Sequence, residues 1–159
     1  KPAMFITAYF LIQYWRFNFD LMGKISLYLH YKKIFLFFGI GSAIFLFLHS
    51  IFLGVKFDND FYKLFRRVLI LAFIIFEVIA QTILVINFYK IKEQIKKLIN
   101  SRILIIKIIL VSILVVVALV SIPFLVAKGY NAFKHALEWN YFIGVISFYL
   151  LTFFFWKKQ

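Results

Sequence analysis

Val68 to Tyr89 reads VLILAFIIFEVIAQTILVINFY, an unbroken apolar run of 22 residues with Glu77 and Gln81 at its middle. Coiled as an α-helix at about 1.5 Å per residue it extends for about 33 Å, enough to cross a hydrocarbon layer of about 30 Å. Arg66 and Arg67 stand at one end and Lys90 and Lys92 at the other, so the charges stop where lipid headgroups begin. The run reads as a transmembrane helix. Glu77 is its anomaly. A carboxylate near the bilayer centre costs several kcal/mol, so Glu77 should face other helices, find a partner or stay protonated.

The rest of the chain has the same character. Of its 159 residues 65% are hydrophobic and 23 are Phe, and its mean hydropathy is +0.96, whereas ordinary soluble domains are about 45–50% apolar. This composition excludes a soluble globular domain and implies an all-α, polytopic bundle forming one membrane domain. With no cysteine, the chain offers no disulfide, no iron–sulfur cluster and no thiolate metal site. A net charge of +13 would suit nucleic acid, but the basic residues sit in short connections beside apolar runs and no separate segment could form a binding domain. Their expected partners are the headgroups of membrane lipids.

Working outward toward the N-terminus, Ile34–Val55 is a second span. Gly39 and Ala43 form a small-xxx-small pair, beside Gly41 and Ser42, where another helix can approach closely. His49 lies nearer the far end of this span, where a hydrogen bond to a neighbouring helix is the simplest role for it. Asp58, Asn59 and Asp60 mark the turn before the central helix. Upstream, Ala3–Trp15 is apolar but short, which suits a partial span or an interfacial helix. Leu21 to Tyr31 carries Leu21, Ile25, Tyr28 and Leu29 at helical spacing, with Lys24 and His30 on other faces, and reads as an amphipathic helix on the membrane surface. The sequence opens on Lys1, Pro2 and Ala3 without methionine, as a fragment or processed form would.

Toward the C-terminus, Lys90–Arg102 keeps helical spacing through Ile91, Ile95, Leu98 and Ile99, and reads as a basic extension of the central helix that breaks near Asn100 and Ser101. Ile103–Val126 is the third span. Lys107, about one turn inside it, can snorkel back to the basic surface, and Pro123 should end or kink the helix. Ala136–Trp156 is the fourth, closed by Lys157 and Lys158.

If the connections alternate in side, one side carries Arg16, Lys24, Lys32, Lys33, Lys90, Lys92, Lys96, Lys97, Arg102, Lys157 and Lys158. The other carries only Lys56, Lys63, Arg66, Arg67, Lys128 and Lys134. The richer side should be cytoplasmic or its organellar equivalent, with the C-terminus there, in a bacterial inner membrane or an organellar membrane.

Three constellations could carry chemistry. Glu77, Gln81 and His49 suit a proton relay, though hydrogen bonding across a packed helix interface explains Glu77 and Gln81 more simply. His49 and His135 come from different helices on the outer side and could ligate a b-type haem, yet such axial pairs usually sit within spans and His135 stands at a helix entrance. His135, Glu138 and Trp139 together form a candidate outer-side site. No HExxH, GxSxG or phosphate-binding glycine loop is present, so no catalytic residue and no metal ligand set is assigned.

Ala136, Leu137, Glu138 and Trp139 lead into FIGVISFYLLTFFFWKK, and this segment resembles the closing helix of DRAM-type membrane proteins, a family of autophagy modulators and relatives linked to GPI-lipid remodelling. The resemblance implies lipid handling at the membrane. The leading expectation from the residues themselves is a non-catalytic accessory subunit that packs against other membrane proteins; lipid handling and a small haem or proton carrier are the alternatives.

Overall fold

The structure is a computed structural model that describes residues 2–25, 32–53, 59–126 and 131–157. Among these it is all-α, with helices α1 (Pro2–Ile25), α2 (Lys32–Phe52), α3 (Asp60–Lys90), α4 (Ser101–Val126) and α5 (Asn131–Phe155). The chain forms two compact units, Lys1–Leu84 and Val85–Gln159.

Three helices are long and apolar enough to cross a membrane, over Lys33–Phe52, Phe61–Lys90 and Ser101–Val120. Each contains a window with few charges, and the shortest, at 20 residues, reaches about 30 Å. For the fourth expected span, α5 is helical through residues 136–155, and among its described residues the apolar stretch is the shorter Trp139–Phe155. At the other end of the chain, α1 is one helix through Arg16, where the sequence suggested a change of element. Its inward stripe explains the continuity: Ala8, Leu11, Trp15, Asn18 and Met22 are all buried and recur at alternating spacings of three and four.

In the first unit α1 packs against α2. Trp15 lies over Gly39, where any added Cβ would collide with the indole, and its ring also meets Phe35 at 6.1 Å between centroids. Glycine at 39 therefore sets how closely the two helices approach. Another face of α2 meets α3 through Phe76, which packs edge-on against Phe38 and Phe45, each at 5.0 Å, and against Gly41. Farther along, the Tyr62 hydroxyl donates to the carbonyl of Phe52, and Asn59 caps α3 by accepting the Phe61 N–H at 3.1 Å.

In the second unit α4 packs against α5. Leu114 fills the space over Gly144, and the Tyr141 hydroxyl donates to the Leu114 carbonyl at 3.1 Å. The basic extension expected after α3 is a series of turns instead of helix, held by bonds such as Ile95 N–H to Ile91 O and Leu98 N–H to Ile95 O. The four-residue spacing nevertheless buries Ile91, Ile95 and Ile99. Ile99 pairs with Trp156 in an isolated antiparallel bridge, with Asn100 N–H donating to Phe155 O at 2.8 Å and Lys157 N–H to Leu98 O at 2.9 Å. These bonds to the end of α5 take the backbone groups that a longer helix would have used. Asn100 then caps α4 by accepting the Arg102 N–H at 3.1 Å, and α4 runs on past Pro123 to Val126.

Candidate functional site

Glu77 is fully buried on α3, two and a half turns from Val68, and both of its carboxyl oxygens are engaged. Ser42 Oγ of α2 lies 2.5 Å from Glu77 Oε2, and Gln81 Nε2, one turn along α3, donates to Glu77 Oε1 at 3.0 Å. Ser42 Oγ is also 2.8 Å from the carbonyl of Gly39. A hydroxyl has one proton to donate. Both Ser42 contacts are therefore hydrogen bonds at once only when the Glu77 carboxyl carries a proton and donates it to Ser42 Oγ, leaving Ser42 O–H for Gly39. With Glu77 ionised, Ser42 has to choose between the two acceptors.

This cluster draws on two helices for a physical reason. Ser42 follows Gly39 by three residues and precedes His49 by seven, so all three fall on one buried stripe of α2 with Phe35 and Leu46. Glu77 and Gln81, four apart, form the matching pair on α3. Gly39 serves twice, admitting the Trp15 ring on the α1 side and offering its carbonyl to Ser42. Ala43 is fully buried beside them. His49 is 9% exposed and stands about 10 Å farther along the α2 axis than Ser42, at about 1.5 Å per residue. Of the expected intramembrane residues, the structure thus joins Glu77, Gln81 and Gly39 through Ser42.

On the outer-side candidates the structure describes less. Trp139 is exposed near the start of the apolar part of α5 and packs edge-on against Phe142 at 6.3 Å. The side chains of His135 and Glu138 lie outside the described residues, and so does His30. Among the described residues no three His, Asp or Glu side chains gather as a metal-binding group.

A second polar site was not foreseen. Lys107 does not snorkel to the surface. It is 2% exposed, and its Nζ donates to Thr152 Oγ1 at 2.6 Å. The ammonium also lies 4.1 Å from the centre of the Phe148 ring and 5.0 Å from that of Phe155. The Thr152 hydroxyl donates to the Phe148 carbonyl at 3.1 Å, which leaves its lone pairs for Lys107. The last turn of α5 supplies the remaining attraction, because a helix C-terminus carries partial negative charge and aromatic faces attract cations. That combination holds the lysine inward. Its sequence signal was a threonine four residues after one phenylalanine and three before another, which has meaning only once α4 and α5 are known to pack.

Comparison of the chain with protein-family models, with curated proteins and with solved structures finds no match.

Proposed function

We propose that this chain is a small, non-catalytic integral membrane protein that works as an accessory subunit, packing against partner proteins within the bilayer. The observation that carries the reading is the inward use of Glu77: both oxygens of the buried carboxyl are engaged by neighbouring side chains of α2 and α3. A carboxyl held this way fixes helix packing, as polar residues do across membrane helix interfaces. The outward faces are apolar, with Phe37, Ile75, Leu119 and Phe153 exposed, and such surfaces suit lipid chains and the helices of neighbouring proteins alike. In this reading α5 completes a fourth span, and the more basic side, with the C-terminus, faces the cytoplasm or its equivalent.

The test is extraction in mild detergent followed by native-size separation, with mass spectrometry and an absorption spectrum on the same peak. Migration in a defined larger complex is the expected result. Recovery as a stable lone monomer would overturn the subunit role, and a Soret band on the peak would instead favour a haem carrier. The lipid-handling alternative rests on the closing helix, and a changed lipid profile after deletion of the gene would favour it.

A further inference from the structure

The turn segment after α3 brings six cations to one place: Lys90, Lys92, Lys96, Lys97, Arg102 and Lys157, with Glu93 the one acidic residue between Lys90 and Arg102. We propose that these residues form a preformed platform for the headgroups of anionic phospholipids, in the leaflet where α3 ends and α4 begins. The inference rests on the chain spanning a membrane and does not depend on the subunit role.

Three observations carry it. The first is position. The apolar stretch of α3 closes at Lys90 and that of α4 opens at Ser101, so the segment between them lies at the edge of two spans, at headgroup depth. Tyr89, half exposed there, and Trp156, at the end of α5, are the aromatic types that favour this level.

The second is rigidity. Ile91, Ile95 and Ile99 are buried to 4%, 1% and 0% exposure, and the Ile99–Trp156 bridge ties the segment to the end of α5. Lys157 reaches across, its Nζ donating to the Lys96 carbonyl at 3.0 Å. With the isoleucines turned inward, Lys90, Lys96, Lys97, Arg102 and Lys157 are exposed. Little backbone entropy is left for a lipid headgroup to remove on binding.

The third is the charge that the contacts of Lys92, Lys96 and Lys157 leave standing. Glu93 approaches Lys96 at 3.9 Å, but both side chains are about 70% exposed (73% and 69%), so water screens the pair. Lys92 rests over the Tyr89 ring at 4.6 Å and Lys157 bonds a neutral carbonyl; neither contact cancels a charge. Phosphodiester headgroups bearing a net negative charge supply what is missing. Zwitterionic headgroups do not.

The full chain, purified free of partner proteins, is placed in lipid nanodiscs of mixed phosphatidylcholine and phosphatidylglycerol, and the lipids it retains on release are weighed by native mass spectrometry. Both leaflets of such a disc have one composition, so a change in orientation cannot imitate the result. Phosphatidylglycerol should be enriched over its bulk share by about fivefold, the factor expected for one basic residue near an anionic surface. The enrichment should vanish in the variant carrying Lys90→Gln, Lys92→Gln, Lys96→Gln and Lys97→Gln, and persist in a charge-matched control with Arg16→Gln, Lys24→Gln, Lys63→Gln and Arg67→Gln. Circular dichroism on both variants checks that helix content is kept, and Lys97→Glu alone should lower the enrichment if the fourfold variant does not fold. No enrichment in the parent chain, or equal loss in the control, overturns the proposal and leaves the platform to an acidic protein segment. Failure of the parent chain to enter the discs would strike the membrane reading beneath it, a result distinct from insertion without selectivity.

Discussion

Ser42 Oγ on α2 and Glu77 Oε2 on α3 approach to 2.5 Å with no exposure of either residue, and they form a buried polar joint between the two helices beside the Phe76 ring contacts. Removing the carboxyl in Glu77→Ala leaves the Gln81 amide without its acceptor and opens a small cavity. The Ser42 hydroxyl keeps the Gly39 carbonyl, which limits the damage. An unpaired buried polar group costs about 1–3 kcal/mol, whereas hydrogen bonds between membrane helices average about 0.6 kcal/mol. The expected loss is therefore at the low end, about 1–2 kcal/mol, and Glu77→Gln should lose less than half as much. Unfolding by SDS in mixed micelles measures both. Equal stability of Glu77→Ala and the parent chain would remove the joint's structural role.

The single proton on Ser42 ties its two contacts to the protonation state of Glu77, which the infrared spectrum reads. If Glu77 carries a proton, the spectrum contains a carboxylic C=O stretch at neutral pH that disappears in Glu77→Gln and shifts in Ser42→Ala, since the donor from Glu77 then loses its acceptor. A spectrum of Glu77→Gln identical to the parent in this region would mean an ionised Glu77, with Ser42 donating to it.

Gly39 and Trp15 yield a steric prediction. Even a methyl group at position 39 runs into the indole, and forcing extra volume into a packed interface costs about 1–3 kcal/mol. Gly39→Ala should loosen α1 from α2 and alter the Trp15 fluorescence as the ring leaves its site. Trp15→Leu, harmful alone, should recover part of the loss in the double variant. Simple additivity of the two changes would argue that they do not act on one contact.

The sequence showed three of the helices that are long and apolar enough to cross a membrane, because charges flank each run and hydropathy needs no tertiary information. It showed Glu77 and Gln81 as anomalies for the same reason. What it hid depends on packing. Ser42 is one of several small residues in its helix, and only the facing Glu77 makes it a partner. By sequence Lys107 stands near enough to the surface to escape, and the Thr152 and phenylalanine faces that keep it inside belong to another helix. The end of α3 failed differently: a four-residue repeat of isoleucine buries one face in a helix and also in successive turns, so periodicity alone did not separate them.

Asn87 offers a test of the second unit. It is fully buried, and neither its side-chain nitrogen nor its oxygen has a hydrogen-bond partner among the described residues. A bare amide in such a place costs about 1–3 kcal/mol. Asn87→Leu, which keeps the number and branching of the side-chain heavy atoms, should thus raise stability by about 1 kcal/mol in the same SDS titration, provided the site admits the larger methyl groups. A marked loss would show that the amide holds a bound water or another group whose bonds the leucine cannot replace.

The two partners Lys107 and Thr152 should respond in opposite ways. Lys107→Met keeps the long unbranched shape between Phe148 and Phe155 and removes the charge that burial penalises. Replacing buried charged groups by well-packed apolar ones is often neutral or stabilising, so Lys107→Met should fall within about 1 kcal/mol of the parent or exceed it. Thr152→Val keeps the shape of the other partner but strips the ammonium of its acceptor at 2.6 Å. Hydrogen bonds to charged groups contribute about 1.5–3 kcal/mol, and the lost stability should lie in that range. Adding Lys107→Met to Thr152→Val should then restore most of it, because no buried charge remains to be left unpaired. A double variant as unstable as Thr152→Val alone would mean that the threonine matters for the Phe148 carbonyl at 3.1 Å and not for the lysine.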